Sequence, residues 1–295
     1  MNNPVAVCPL PDLGTLRFRG PDARRFLQGQ LSNDLDRLAP GSVLRAGLHN
    51  AQGRTLALLA LLSWSDDDLG AVLPLELLAD VAPLLRRYVL RSRVAISDES
   101  AELRLYGLVA VEGSAVPAGA ARLDAARYLC ALPAAAAAPP GTELARERWR
   151  ALDVAAGLPQ IYRATSGQFV AQMLNLDCID AISFTKGCYT GQEVIARAHY
   201  RGRVKRRLQR FAAPQAPLLA AGDAVQLADG RAARVIEAVR HADGSCELLA
   251  VAALPGSERE SAEGAGPGGD GAGPGGDGEM RLRASALPLP YELPA

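Results

Sequence analysis

No two cysteines in this chain stand in a CxxC pair. The five that occur, Cys8, Cys130, Cys178, Cys188 and Cys246, are odd in number and widely scattered. That spacing excludes a zinc ribbon, a ferredoxin-type cluster and a disulfide framework, so reduced thiols and no stably bound metal are expected. An excess of charge of either sign is also missing: 32 lysines and arginines balance 32 aspartates and glutamates. No global field therefore draws the chain to nucleic acid or to an anionic membrane, and any such attraction must be local. The longest apolar run, Leu56 to Leu62, is far short of a membrane span. The first residues lack a basic region followed by an apolar run, so a cytoplasmic protein with no membrane partner is expected. GxxxxGK[ST], GxGxxG after a strand, HExxH and GxSxG are absent as well, which removes several common enzyme classes without selecting one.

What is present is a chain of 295 residues, 49% of them apolar, long enough for two or three folding units. Its texture is mixed α+β. "TLRFR" (15–19) alternates as a strand. "GPDARRFLQGQL" places Phe26, Leu27 and Leu31 on one helical face behind Pro21. "SVLRAGLHN" and "RTLALLALLSW" flank turn residues Asn50 to Gly53 and predict a β-hairpin. "PLELLADVAPLLRRYVL" has helical spacing that Pro83 should kink or divide. Strands are expected at Val94–Ile96 and Leu103–Val111. From Pro117 to Pro140 a loose Ala/Pro-rich connection should surround one strand, "RYLCAL". "TELARERWRALDVAAGLP" then predicts an amphipathic helix capped by Thr142 and stopped by Gly157 and Pro159.

Beyond Arg207, short strands with Asp-Gly turns at Asp229-Gly230 and Asp243-Gly244 predict a small antiparallel β-barrel as a C-terminal domain. The expected division is 5–205 and 206–295. Glu258 to Glu279 holds a doubled "GAGPGGD" too poor in apolar side chains to pack, and is expected to be a disordered insertion between the last strands.

The stretch "TKGCYTGQEVIARAHYRGRVKRR" (185–207) is the richest in candidate chemistry. A thiol is activated by a nearby cation or by the free amides of a helix start. Lys186 precedes Cys188 by two residues, and "GQEVIARA" predicts a helix just after it. The residues leave a second reading open, and alone favour it: Gly187 and Gly191 make a tight turn and Cys188 is a small buried side chain. Only His49 or His199 could complete a Cys-His pair through folding. The arginines from Arg197 to Arg207 suit phosphates, carboxylates or RNA backbone, although most such runs are solvated faces. With only Tyr200 interleaved, a single-strand stacking groove is a weak reading. Trp149 is usually a core residue in such a setting, yet its flat face suits a heteroaromatic ring.

"SGQFVAQMLNLDCIDAISFTKGCYTGQEVIARAHYRGRVKR" resembles the signature of the YgfZ family, folate-binding relatives of the glycine-cleavage T-protein whose hallmark is K-G-C-Y-x-G-Q-E. "FLQGQLSNDL", "NAQGRTLA", "RYVLRSRVAI", "RWRALDVAAGLPQI" and "LPLPYEL" resemble further family segments in the expected order. The resemblance implies a T-protein-like fold, with two intertwined α+β domains around a central folate pocket and a C-terminal antiparallel β-barrel. It also implies a role with tetrahydrofolate or a one-carbon derivative in making or repairing iron–sulfur proteins, including enzymes that thiolate tRNA. Cys188 inherits the role of functional thiol, set by Lys186, Tyr189, Gly191, Gln192 and Glu193. Trp149 matches a ring-lining tryptophan, and Leu13 stands where the family has an aromatic, so its contact would be apolar only. One or two arginines, with Arg197 and Arg201 as candidates, would meet the glutamate tail. The expected partners are folate and iron–sulfur client proteins and the expected state is a monomer; a tRNA-interacting protein using Arg197 to Arg207 is a further alternative, ranked last because the overall charge is balanced.

Two departures narrow the chemistry. The aminomethyltransferase relatives carry an acidic pair after N-x-x-G-G and a glutamate just before "AG", where this chain has "NAQGRTLA" and Ala155. Such carboxylates assist proton movement and stabilise an iminium, so aminomethyl transfer is not expected; a one-carbon transferase or oxidase is the alternative. The pterin edge also loses its acceptor, leaving Asp153 or a backbone carbonyl to serve.

Overall fold

Two short strands at the start divide the chain between two sheets. In the computed structural model, which describes residues 5–111, 113–255 and 280–294, β1 (Ala6–Pro9) and β2 (Leu13–Arg19) are separated only by Leu10, Pro11 and Asp12, yet they join different sheets. β2 lies with β3 (Leu44–His49), β4 (Thr55–Ser65), β5 (Asp68–Pro74) and β6 (Ala95–Asp98) in the order β3-β4-β5-β2-β6. The chain then returns to β1 with β7 (Leu103–Val109), β8 (Ala120–Arg122), β9 (Arg127–Pro133) and β10 (Thr142–Glu143), in the order β10-β1-β7-β9-β8. The two sheets are thus intertwined in sequence. The β3–β4 hairpin turns at Asn50–Gly53, where Gly53 has φ +70° and the Asn50 side chain accepts from the amides of Gln52 and Arg54 at 3.0 Å each.

The third sheet orders β15 (Met280–Leu282), β12 (Ala224–Leu227), β13 (Ala232–Arg240), β14 (Cys246–Ala253), β11 (Arg206–Ala213) and β16 (Ser285–Leu287). Its edge strands β15 and β16 are consecutive in the chain, with only Arg283 and Ala284 between them, so the sheet must curl until its edges approach. It is not wholly antiparallel: β12 and β15 run parallel. β14 shows why this region is so apolar. Leu248, Ala250 and Ala252 point into the curled sheet's own core, while Leu249 and Val251 point into the main core shared with β2, β4 and β5. A strand buried on both faces is a continuous hydrophobic run.

Among the described residues, four α-helices complete the framework: α1 (Ala23–Gln30), α2 (Leu78–Arg86), α3 (Arg146–Ala155) and α4 (Gln192–Arg201). Three local expectations change. Pro83 sits inside α2 without dividing it; the cost is one bond, the missing N–H of Pro83 to the carbonyl four residues earlier. Thr142 does not cap α3, because Thr142 and Glu143 are drawn into β10 beside β1, and Ala145 holds the cap position. The Ala/Pro-rich connection holds two strands, since β8 pairs with β9. Gly157 stops α3 as expected: at φ +64° its amide donates to Val154, and that of Leu158 to Asp153, satisfying the last carbonyls. The segment 258–279 lies outside the described residues. Among the described residues, no helix is long and apolar enough to cross a membrane.

Candidate functional site

α3 carries Trp149 and Asp153 one turn apart on a single face, and that face borders a cavity where the three sheets meet. Leu10, Leu13, Leu58, Val72 and Leu129 supply an apolar wall, and Arg45, Asp153, Gln160, Tyr162 and Glu237 supply polar groups. Trp149 is 5% exposed. Its ring lies on Gly107 of β7, where a Cβ would come within 2.6 Å of the indole. Only glycine lets strand and ring approach so closely. The guanidinium of Arg127 lies 5.4 Å from the ring centroid, a cation–π contact that helps fix its orientation.

Arg127 also donates to Asp153 Oδ1 at 2.6 Å and to Asp124 at 2.7 Å. Burial pushes the Asp153 carboxyl up, and Arg127 and Arg45 pull it back. Burial likewise pulls Arg45 down, with Asp153 opposing. Elsewhere on the wall, the Tyr162 hydroxyl donates to Glu237 Oε2 at 2.6 Å while Arg150 holds the other oxygen. Burial and then Glu237 push the Tyr162 hydroxyl up, so it stays protonated. Arg146 pairs with Asp12 at 2.8 Å. Asp12 Oδ1 and Arg150 Nε are buried without a hydrogen-bond partner among the described residues.

The K-G-C-Y-T-G-Q-E segment builds a different place. Lys186 is buried, and its ammonium donates to the carbonyls of Gln28, Leu31 (2.6 Å) and Asn33 (3.1 Å), at and just beyond the C-terminal end of α1. Burial pulls this amine down to about 8, and Asp34 and Asp36 pull it the other way. Tyr189 is buried beside His49, ring centroids 6.3 Å apart, with the Lys186 Nζ 5.2 Å from its ring centroid. Burial holds the His49 imidazole down at about 3, so it is neutral. Gly191, at φ +82°, caps α4 against the hairpin turn: a Cβ there would lie 2.4 Å from the Asn50 carbonyl oxygen. The N-A-Q-G and K-G-C-Y-T-G-Q-E segments are therefore glycine-bearing where they press on each other.

Cys188 is the exposed one of the five cysteines. Burial pushes the Cys8 and Cys178 thiols up to about 11 and raises Cys130 and Cys246 too, which makes those four poor thiolate formers. The reading of Cys188 as a small buried side chain is overturned by its exposure. Lys186, however, spends its donors on α1.

Of the residues expected to share one site, Trp149 and Leu13 line the cavity, with Asp153. Cys188, Lys186, Tyr189, Gln192, Glu193, Arg197 and Arg201 are not among its lining residues. The two places are linked by the β3–β4 hairpin. Its tip packs on α4, and its cavity residues begin at Leu58, roughly 10 Å of strand from Thr55. Arg45, Arg150, Tyr162 and Glu237 were not singled out from sequence. Glu237 alone left a trace there, as an acid interrupting the apolar strand "RVIEAV". Among the described residues, no group of three or more His, Cys, Asp or Glu is placed to hold a metal ion.

No family model matches the chain. It is 31% identical over 278 residues to the tRNA-modifying protein YgfZ of Serratia proteamaculans, covering 82% of each chain. It is 29% identical over 283 residues to the tRNA-modifying protein YgfZ of Yersinia pseudotuberculosis, covering 84% of each. Among solved structures, the glycine cleavage system aminomethyltransferase T from Bartonella henselae superposes with a TM-score of 0.64 at 13% identity, over 85% of this chain and 79% of that one. At that identity the fold is what the two share.

Proposed function

This chain belongs to the YgfZ family of tRNA-modifying proteins, and from that premise we propose that its central cavity binds tetrahydrofolate or a one-carbon derivative. On this reading the protein is a cytoplasmic accessory factor for assembling or repairing iron–sulfur client proteins, including enzymes that thiolate tRNA. The observation that carries the folate reading is Trp149 and Asp153 on one face of α3, bordering a cavity lined by leucines and by polar groups from all three sheets. A pterin is flat and presents adjacent N–H donors on one edge. Trp149 and the leucines offer the flat apolar surface, and the Asp153 carboxylate offers acceptors for such an edge. Asp153 thereby takes over from the glutamate replaced by Ala155. Arg146 and Arg150, at the cavity, are better placed for the glutamate tail than Arg197 and Arg201.

The test is a tetrahydrofolate titration in a Trp64→Phe background. Trp64, 38% exposed, is the other tryptophan, so its removal leaves Trp149 as the sole indole reporter. Saturable quenching and a raised melting temperature are expected. Asp153→Asn should weaken binding about tenfold or more, the scale of one hydrogen bond to a charged group. No quenching and no thermal shift at high ligand concentration would sink the folate reading.

Cys188 is proposed as the functional thiol, working on an outer face and not at the cavity. In a strain lacking the endogenous protein, Cys188→Ser is expected to fold and bind folate normally while failing to restore iron–sulfur enzyme activity. Full restoration would remove the thiol from the proposal.

A further inference from the structure

The last turns of α4 hold a group of rings that the linear sequence does not display. Phe184, fifteen positions before His199, comes back against the helix and stacks on the imidazole at 3.8 Å with the planes 16° apart. Tyr200 stands edge-on to both, at 4.8 Å and 79° to His199 and at 6.1 Å and 70° to Phe184. Phe184 is anchored against the main core, so the cluster is held from below. Its outer members remain in water: His199 is exposed and Tyr200 is 68% exposed.

Arg197, Tyr200 and Arg201 follow one another at i, i+3 and i+4, which puts the cations beside the exposed ring. Both arginines are exposed, and neither side chain has a hydrogen bond or ion pair with any described residue. Arg206 is exposed just beyond. Glu193, two turns from Tyr200, is the single acid of α4. A chain with no net charge has thus collected a local positive field around stacked, solvent-facing rings.

We infer that this face of α4 binds single-stranded RNA, with Tyr200 and His199 stacking on unpaired bases and Arg197 and Arg201 meeting the flanking phosphates. Rings with free faces beside unpaired cations are the requirements of single-strand binding. A groove for a protein helix would instead offer a contiguous aliphatic strip. Cys188 shares the neighbourhood: four residues from Phe184, its Cα lies within about 14 Å of that of Phe184, and its side chain is exposed. The choice of RNA over DNA rests on the tRNA-modification setting proposed above; the stacking and charge do not depend on the folate reading.

The experiment is fluorescence anisotropy with a short single-stranded RNA, the matching RNA duplex and the DNA strand of the same sequence, at several salt concentrations. The single-stranded RNA is expected to bind most tightly. Tyr200→Ala with His199→Ala should weaken it about tenfold or more, and Tyr200→Phe should retain it. Arg197→Gln with Arg201→Gln should lower the slope of log affinity against log salt by about 1.4. Absence of RNA binding by the wild type at low salt overturns the inference, as does unchanged affinity in both double variants. Equal duplex affinity overturns the stacking mode, and equal DNA affinity overturns the choice of RNA. Unchanged RNA binding with lost iron–sulfur activity in the strain would assign the face to a client protein instead. The tetrahydrofolate titration on the same variants separates the two readings: quenching that survives loss of RNA binding leaves the cavity reading standing, and the converse holds.

Discussion

Arg207→Met is expected to lower the stability of this protein by about 3–5 kcal/mol, the cost of leaving one member of a buried ion pair without its partner. Arg207 and Asp177 are each 4% exposed, and the guanidinium grips both carboxylate oxygens at 3.0 Å. It also donates to the Gln172 carbonyl at 3.0 Å and the Asn175 side chain at 3.3 Å. Asn175, at φ +55°, in turn donates to the Leu208 carbonyl at 2.9 Å. Removing the guanidinium strands a buried carboxylate and unfastens the 171–178 segment from β11. A urea titration should show the shift. Arg207→Lys should recover only part of the loss, because an ammonium cannot form the two-pronged contact. Adding Asp177→Leu to Arg207→Met should recover much of it, because no unpaired charge then remains. A single-variant change below about 1 kcal/mol would mean that the pair does not clamp these segments as described.

Lys186→Met should cost about 2 kcal/mol at neutral pH, because the buried carbonyls of Leu31 and Asn33 lose their donor while methionine keeps most of the volume. The cost is expected to grow with pH. In the folded protein the amine is pulled down to about 8, whereas in the unfolded chain it titrates near about 10.4. Between those values the unfolded chain holds the extra proton, so wild-type stability rises as pH rises through the window and is lost as pH falls toward 8. Relative to Lys186→Met, the wild type should gain up to about 3 kcal/mol across that range. Hydrogen exchange should also quicken over residues 183–191, since Lys186 ties the Cys188 loop to α1. A stability difference that does not vary with pH would contradict a buried ammonium at this position.

These two residues also show how differently neighbouring parts of one sequence can be read. Arg206 and Arg207 look alike in the run "VKRR", yet strand alternation sends Arg206 to water and Arg207 into the interior. Lys186 looks like the activator of Cys188 because it is two residues away, but a side chain's partner is set by where the chain folds, and its partners are the carbonyls at the end of α1. Thr142 has the chemistry of a helix cap and becomes a strand residue because β1, far away in the chain, offers it a ladder.

The elements most legible beforehand were those whose cause is local. α1 and the β3–β4 hairpin follow from hydrophobic period and turn residues, and the end of α3 follows from Gly157. The similarity of the K-G-C-Y-T-G-Q-E stretch and its companions pointed to the family before any geometry did. The cavity was legible only through Trp149, Leu13 and Asp153. Arg45, Tyr162 and Glu237 come from segments separated by tens to nearly two hundred positions, and no local pattern announces that they will meet.

What the sequence by itself determined, then, is α1, the β3–β4 hairpin, the stop of α3 at Gly157, and the family. Those depend on backbone preferences and on patterns a few residues long. Tertiary structure alone decided which carboxylates line the cavity, which arginine is buried and which stay exposed. It also decided that the exposed thiol stands apart from the Trp149 wall. The reason is that the energy of a charge, a thiol or a ring depends on what surrounds it in space, and those surroundings are assembled by pairings between distant parts of the chain.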